Sequence, residues 1–116
     1  DLGSGDGRVL FIAAREFGAK GVGIEIDPLR FFIAKILVRI NGLSERVEII
    51  RGNFFDQDLS RATVVFLYLV PKALAKLKPK LLEELKPKTL VIVYKYEIDL
   101  FKIREIKKSK IFLYKI

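Results

Sequence analysis

Three glycines in five residues, Gly3-Ser4-Gly5-Asp6-Gly7, stand directly before a stretch of helical periodicity. A glycine-rich turn between a strand end and a helix lets the backbone approach a ligand closely and directs amide groups at an anionic one. Behind the turn, Arg8–Phe17 carries apolar residues at 9, 10, 12, 13 and 17 and charges at 8, 15 and 16, an amphipathic helix that Gly18 ends. Ahead of it, Asp1-Leu2-Gly3 reads as the end of a buried strand whose apolar beginning lies upstream. The 116 residues contain no methionine, so the chain is read as a fragment whose N-terminal segment is missing.

The remaining pattern alternates strands with helices. Val22–Ile26 is a short buried strand. Asp27-Pro28 supplies an N-cap with proline at the first helical position, and a helix runs from there to Asn41-Gly42. Val47–Ile50, Ala62–Leu67 and Thr89–Val93 read as further strands, Lys72–Leu85 as one or two short helices, and Phe101–Ile116 as a hairpin about Lys108-Ser109. The order predicts an α/β fold: a mostly parallel sheet with helices on both faces and an antiparallel C-terminal hairpin at its edge. Without repeats or linkers, residues 1–116 are expected to form a single domain. The helix from Pro28 to Ile40 is polar only at Arg30, Lys35 and Arg39. It therefore needs more than one packing partner, either the upstream part or another subunit, and Phe31 and Phe32 are assigned to the core.

Composition narrows the chemistry. The chain has no cysteine and no histidine, which excludes disulfides and thiolate zinc sites and removes the commonest general base and metal ligand; no metal is expected. Charge interrupts every apolar stretch well short of the roughly 18 residues a membrane span needs, and no signal layout is visible. A soluble, cytoplasmic protein without membrane contact is expected. The lack of Cys, Met, His and Trp beside abundant Lys, Arg and Glu is compatible with a heat-adapted source. Charge is unevenly placed: residues 1–58 carry net −1 and residues 59–116 net +9. Lys72, Lys76, Lys78, Lys80, Lys86 and Lys88 cluster in one region, with Lys107, Lys108 and Lys110 near the end. A solvated lysine surface is the simpler reading, attraction of nucleic acid or acidic partners the functional one.

Three loops carry candidate chemistry. The nicotinamide fingerprint needs glycine where Arg8 stands, and no Gly-Lys-Ser/Thr phosphate loop follows. What remains is GxGxG preceded by an acid. Gly23-Ile24-Glu25-Ile26-Asp27 then ends the next strand on a carboxylate, at the distance where a ribose-binding acid belongs. An unpaired carboxylate is costly in such a place. After the third strand, Gly52-Asn53-Phe54-Phe55-Asp56 offers an amide for a base edge at Asn53 and an aromatic face for adenine at Phe54. Loops at the carboxyl ends of neighbouring strands form a crevice for a nucleoside.

The succession DLGSGDGR, GVGIEID and RGNFFD resembles class I S-adenosylmethionine-dependent methyltransferases. More narrowly, the chain is similar to the small archaeal protein-lysine methyltransferases, relatives of the non-SET histone lysine methyltransferases. That similarity continues through Ala62-Thr63-Val64-Val65 and Leu77-Lys78-Pro79-Lys80-Leu81 to Glu84-Leu85-Lys86-Pro87. The resemblance implies a Rossmann-like sheet and S-adenosylmethionine as cofactor. It sets Asp1, Gly3, Gly5 and Gly7 around the methionine part, Glu25 at the ribose hydroxyls and Asn53 with Phe54 at adenine; Ser4 and Ile26 are counted with them. It also implies methyl transfer to protein lysine ε-amines by in-line displacement, without metal or covalent intermediate. Broad specificity, automethylation and small basic chromatin proteins as targets are part of that expectation. The fourth strand runs into Leu67-Tyr68-Leu69-Val70-Pro71 where enzymes acting on DNA base amines carry Asp/Asn-Pro-Pro-Tyr/Phe, which counts against that substrate. Tyr68 is the candidate for lining an acceptor channel, whereas Tyr94 and Tyr96 read as edge or core aromatics. Asp56, Asp58, Glu83 and Glu84 read as solvated charges. Two alternatives share the motifs: an RNA or small-molecule methyltransferase, whose basic half would track phosphates, and a degenerate, non-enzymatic binding domain.

Overall fold

The computed structural model describes residues 1–116, and the chain divides into two units, Asp1–Asp56 and Gln57–Ile116. In the first unit, α1 (Arg8–Phe17) ends at Gly18, whose positive φ closes the helix. β1 (Gly21–Glu25) follows, then α2 (Pro28–Ile40) and β2 (Val47–Arg51). The predicted cap of α2 is present: the Asp27 carboxylate accepts the N–H groups of Leu29 (2.9 Å) and Arg30 (3.2 Å), and Pro28 opens the helix. β1 and β2 pair in parallel, with Gly21 opposite Val47 and Glu25 opposite Arg51. Leu2 adds a single parallel bridge to Ile24, so the residues before the glycine turn run alongside β1.

Both helices pack into one apolar cluster. Leu10 and Ala14 of α1, Ala34 and Val38 of α2, and Val47 and Ile49 of β2 are its buried members, with Leu43, and Phe11 and Phe31 lie against it. The small side chains of Ala14 and Ala34 let the helices come close to the strands. Ala34 and Val38 fix which face of α2 turns inward, and Leu29, Phe32, Ile33, Ile36 and Ile40 stay exposed. Phe32 therefore departs from its assignment to the core, being 56% exposed, while Phe31 conforms to it.

The second unit contains β3 (Val64–Leu67), α3 (Pro71–Glu84), β4 (Leu90–Tyr94), β5 (Lys102–Ile106) and β6 (Ile111–Lys115) in a sheet of order β3-β4-β6-β5. β3 and β4 are parallel; β6 is antiparallel to both β4 and β5. The hairpin is present, but its second strand is the inner one. Composition explains the order: β6 buries Phe112 and Tyr114, whereas all five residues of Lys102-Ile103-Arg104-Glu105-Ile106 are exposed, a charged sequence suited to an edge. α3 is one helix rather than two, although Pro79 lies inside it. Leu74, Leu77 and Leu81 anchor the buried face, while Pro79 and Ala75, whose carbonyl loses its helical partner, are exposed. No helix is long and apolar enough to cross a membrane.

Candidate active site

The glycine turn sits on the carboxyl end of β1. Gly3, Gly5 and Gly7 all have positive φ, at 76°, 58° and 86°. The N–H groups of Gly3 and Ser4 both donate to the Ile24 carbonyl, at 2.8 and 3.1 Å, and Gly7 N–H closes the turn onto Ser4 O at 3.0 Å. Gly7 is the N-cap of α1 and has no side chain to offer. A Cβ there would require an unfavourable backbone conformation and would lie 2.9 Å from the Phe11 ring. A Cβ on Gly5 would meet nothing within 4 Å, so the turn faces open space at that point.

Glu25 joins the turn to the strand. One carboxylate oxygen accepts the Gly5 N–H at 2.7 Å and the other accepts the Asp27 N–H at 2.9 Å, and the residue is only 5% exposed. The charge expected to be costly at this position is thus stabilised by hydrogen bonds from backbone amides. A carboxylate has about four acceptor positions, so two hydrogen bonds leave capacity for hydroxyl donors. Ser4 behaves differently from its neighbours in the turn. It is buried, its hydroxyl has no partner, and it is pressed against β1, where a Cβ on Gly23 would lie 2.6 Å from Oγ.

The remaining candidates of this unit gather at the same strand ends. The Glu25–Arg51 register, extended by a 3.0 Å hydrogen bond from Gly52 N–H to Glu25 O, sets Ile26 and the Asn53 loop side by side. Ile26 is 64% exposed at the end of β1. Asn53 Oδ1 accepts the Phe55 N–H at 2.9 Å, which orients the side chain and leaves its amide hydrogens as donors. Phe54 is half-buried and tilted against Phe55, ring centroids 4.8 Å apart. Asp1 runs beside β1: its carbonyl accepts the Ile24 N–H and its amino group donates to Val22 O.

In the second unit the parallel register Leu67↔Val93 carries the chain on to Tyr68 and Tyr94, whose rings meet edge to face with centroids 4.8 Å apart. Tyr68 is exposed at the strand end, and Tyr94 is its companion there. The sequence held a signal for this pairing, since two strands of equal phase each end in tyrosine. Tyr96 instead lies under the Lys95 ammonium, 5.4 Å from the ring centre. Glu84, read as solvated, is structural. It accepts the Leu59 N–H at 2.9 Å and pairs with Lys80, and these contacts hold its carboxyl below the ordinary range.

Comparison with known proteins gives the family of this fold. The structure superposes on an RNA methyltransferase from Salinibacter ruber solved in complex with S-adenosyl-L-homocysteine, at TM-score 0.88 and 40% identity, covering 100% of this chain and 78% of that one. The chain is 43% identical over 109 residues to a protein-lysine N-methyltransferase of Saccharolobus islandicus (strain REY15A), covering 93% of this chain and 68% of the relative. It is also 37% identical over 68 residues to a lysine N-methyltransferase of Caenorhabditis elegans named for an ATP synthase component, covering 57% of this chain and 35% of the relative. The fold and these similarities define an S-adenosylmethionine-dependent methyltransferase of the Rossmann-like class I type. Within that class, the chain belongs to the family of the ANTKMT methyltransferase domain, whose profile matches residues 1–105.

Proposed function

We propose that this protein methylates lysine ε-amines of proteins. The observation that carries the proposal is the 43% identity to the Saccharolobus protein-lysine N-methyltransferase across 93% of the chain. Residues 1–116 act as a single domain in this reading, supported by a family profile that spans both units.

S-adenosylmethionine supplies an electrophilic methyl group when bound. Asp1, Gly3, Gly5 and Gly7 would hold its amino-acid part, Glu25 its ribose, and Ile26, Asn53 and Phe54 its base. The open space at Gly5, the spare acceptor capacity of Glu25 and the exposed face of Ile26 support the fit. Ser4 would contribute by shaping the turn against Gly23. Tyr68, with Tyr94 against it, would wall the acceptor channel. An aromatic wall does two things for an incoming lysine. It strips water from the ammonium, which favours loss of the proton from a group with an ordinary pKa of about 10.4. It also narrows the approach of the amine, so that alignment supplies much of the rate. No histidine is needed for either task.

The finer expectations rest on the same reading: broad specificity including the enzyme's own lysines, small basic chromatin proteins among the targets, and nucleic acid contact through the basic half. Amino-acid usage and the archaeal relative support a cytoplasmic enzyme of a heat-adapted archaeon. The Salinibacter neighbour named for RNA favours a second reading, transfer to RNA. Incubation with radiolabelled S-adenosylmethionine and either a lysine-rich protein or RNA separates the two. Label on lysine is expected; label in RNA alone overturns the proposal.

A further inference from the structure

A cavity of about 280 Å³ opens in the second unit between α3 and the segment that follows β4. Pro71, Leu74 and Ala75 form one wall, at helical spacing, and Ile98 faces them. Glu97 and Asp99 stand at the rim, their side chains 57% and 95% exposed, with Lys78 between wall and rim. The far wall is fixed from behind: the Ile98 N–H donates to the hydroxyl of Tyr114, which is buried.

The rim is acidic within a basic half of the chain. Asp99 pairs with Lys78 at 2.8 Å, while Glu97 and, at 3.4 Å, Glu105 both reach Lys102. Three carboxylates thus share two ammonium groups. Exposed pairs of this kind contribute little to stability, so an incoming cation exchanges with them at little cost.

We propose that this cavity is a subsite for a lysine or arginine side chain that neighbours the acceptor lysine in the polypeptide substrate. The inference rests on the lysine reading above. A long basic side chain matches the walls in kind: its aliphatic stem lies along the exposed Pro71 and Ala75, over a floor closed by the buried Leu74 and Ile98, and its charged head reaches Glu97 and Asp99. The spacing agrees. Pro71 follows Tyr68 by three residues and Glu97 follows Tyr94 by three, a reach of at most about 11 Å. An extended peptide covers that distance in about three residues at ~3.3 Å each. The subsite also reconciles a positively charged enzyme with positively charged targets, because the local rim and not the net charge reads the sequence around the acceptor.

The test uses two peptides carrying norleucine at the acceptor position, one with lysines two and three residues away and one with serines there. Each is titrated against wild type, the double variant Glu97→Gln/Asp99→Asn, and Glu83→Gln, which removes an exposed carboxylate elsewhere on α3. Wild type should bind the basic peptide at least tenfold more tightly than the serine peptide, the double variant should lose most of that preference, and Glu83→Gln should keep it. Equal preference in the double variant and wild type overturns the subsite. The same peptides with lysine at the acceptor then report methyl transfer. A raised KM for the basic peptide alone in the double variant supports the proposal, and transfer indifferent to flanking charge sinks the subsite while leaving the lysine reading intact. Absence of transfer to every lysine peptide sinks both.

Discussion

The turn above β1 and the segment after β4 are both fixed in place, by opposite means. In the first unit a single buried carboxylate, Glu25, gathers backbone N–H groups from two loops, so the geometry is set by main-chain atoms with little freedom. In the second unit the segment from Lys95 to Leu100 is tied down by exposed ion pairs through Lys78 and Lys102 and by one buried phenol. The first arrangement suits the proposed cofactor, the second the proposed polypeptide subsite. Backbone hydrogen bonds to a buried charge are worth about 1.5–3 kcal/mol each, whereas exposed ion pairs contribute little, so the difference in rigidity follows from the chemistry of the restraints.

Substitutions that remove restraints from each side sharpen the contrast. The largest loss is expected for Glu25→Ala, which strips two N–H groups of a charged acceptor and should destabilise the protein by about 3 kcal/mol in urea denaturation. A value under about 1 kcal/mol would break the comparison at its rigid end. Gly23→Ala comes next: its methyl would lie 2.6 Å from Ser4 Oγ and 2.7 Å from Leu10, and overpacking of this kind costs about 1–3 kcal/mol. Solvent-limited exchange should also spread through the glycine turn, and an unchanged melting curve would mean that Ser4 relocates freely. Tyr114→Phe removes the acceptor of the Ile98 N–H and should cost about 1 kcal/mol, with faster hydrogen exchange confined to the 95–100 segment. Exchange that also rose around Gly5 would deny that the two loops are held independently.

The smallest effect concerns acid. Glu84 has its carboxyl depressed by the Lys80 hydrogen bond and then by the Leu59 N–H, so its contribution is complete above its ordinary value of 4.5 and is lost as pH falls through the lower, folded-state value. Glu84→Gln should therefore flatten the fall in melting temperature below about pH 4.5 and leave its slope at pH 6–8 unchanged. A variant that kept the wild-type acid slope would remove Glu84 from the account.

Much of this was legible because it is local. The Asp27-Pro28 start of α2, the Gly18 end of α1 and the glycine turn are set by residues within a few positions of one another, and they lie where the pattern puts them. The place of Glu25 at the end of a strand was also legible from spacing. Features that depend on distant partners were hidden. The inner position of β6 is decided by which strand has aromatic residues to bury, and the continuity of α3 by leucines that outweigh the break at Pro79. Glu84 reads as an exposed charge until Leu59 is brought to it, and Tyr94 as an ordinary aromatic until the β3–β4 register sets it against Tyr68. Ser4 has the sequence context of a ligand-facing residue, yet the positive φ values on either side turn its hydroxyl into the strand.

The central claim, that Glu25 organises the cofactor crevice while the acidic rim of the second unit does not take part in it, is tested most directly by calorimetric titration of S-adenosylhomocysteine into wild type, Glu25→Ala and Asp99→Asn. On the proposed assignment of Glu25 to the ribose, loss of its charged acceptor should weaken binding in Glu25→Ala by about thirtyfold, on the order of 2 kcal/mol, with Asp99→Asn indistinguishable from wild type. Unchanged affinity in Glu25→Ala, or an equal loss in Asp99→Asn, would contradict it.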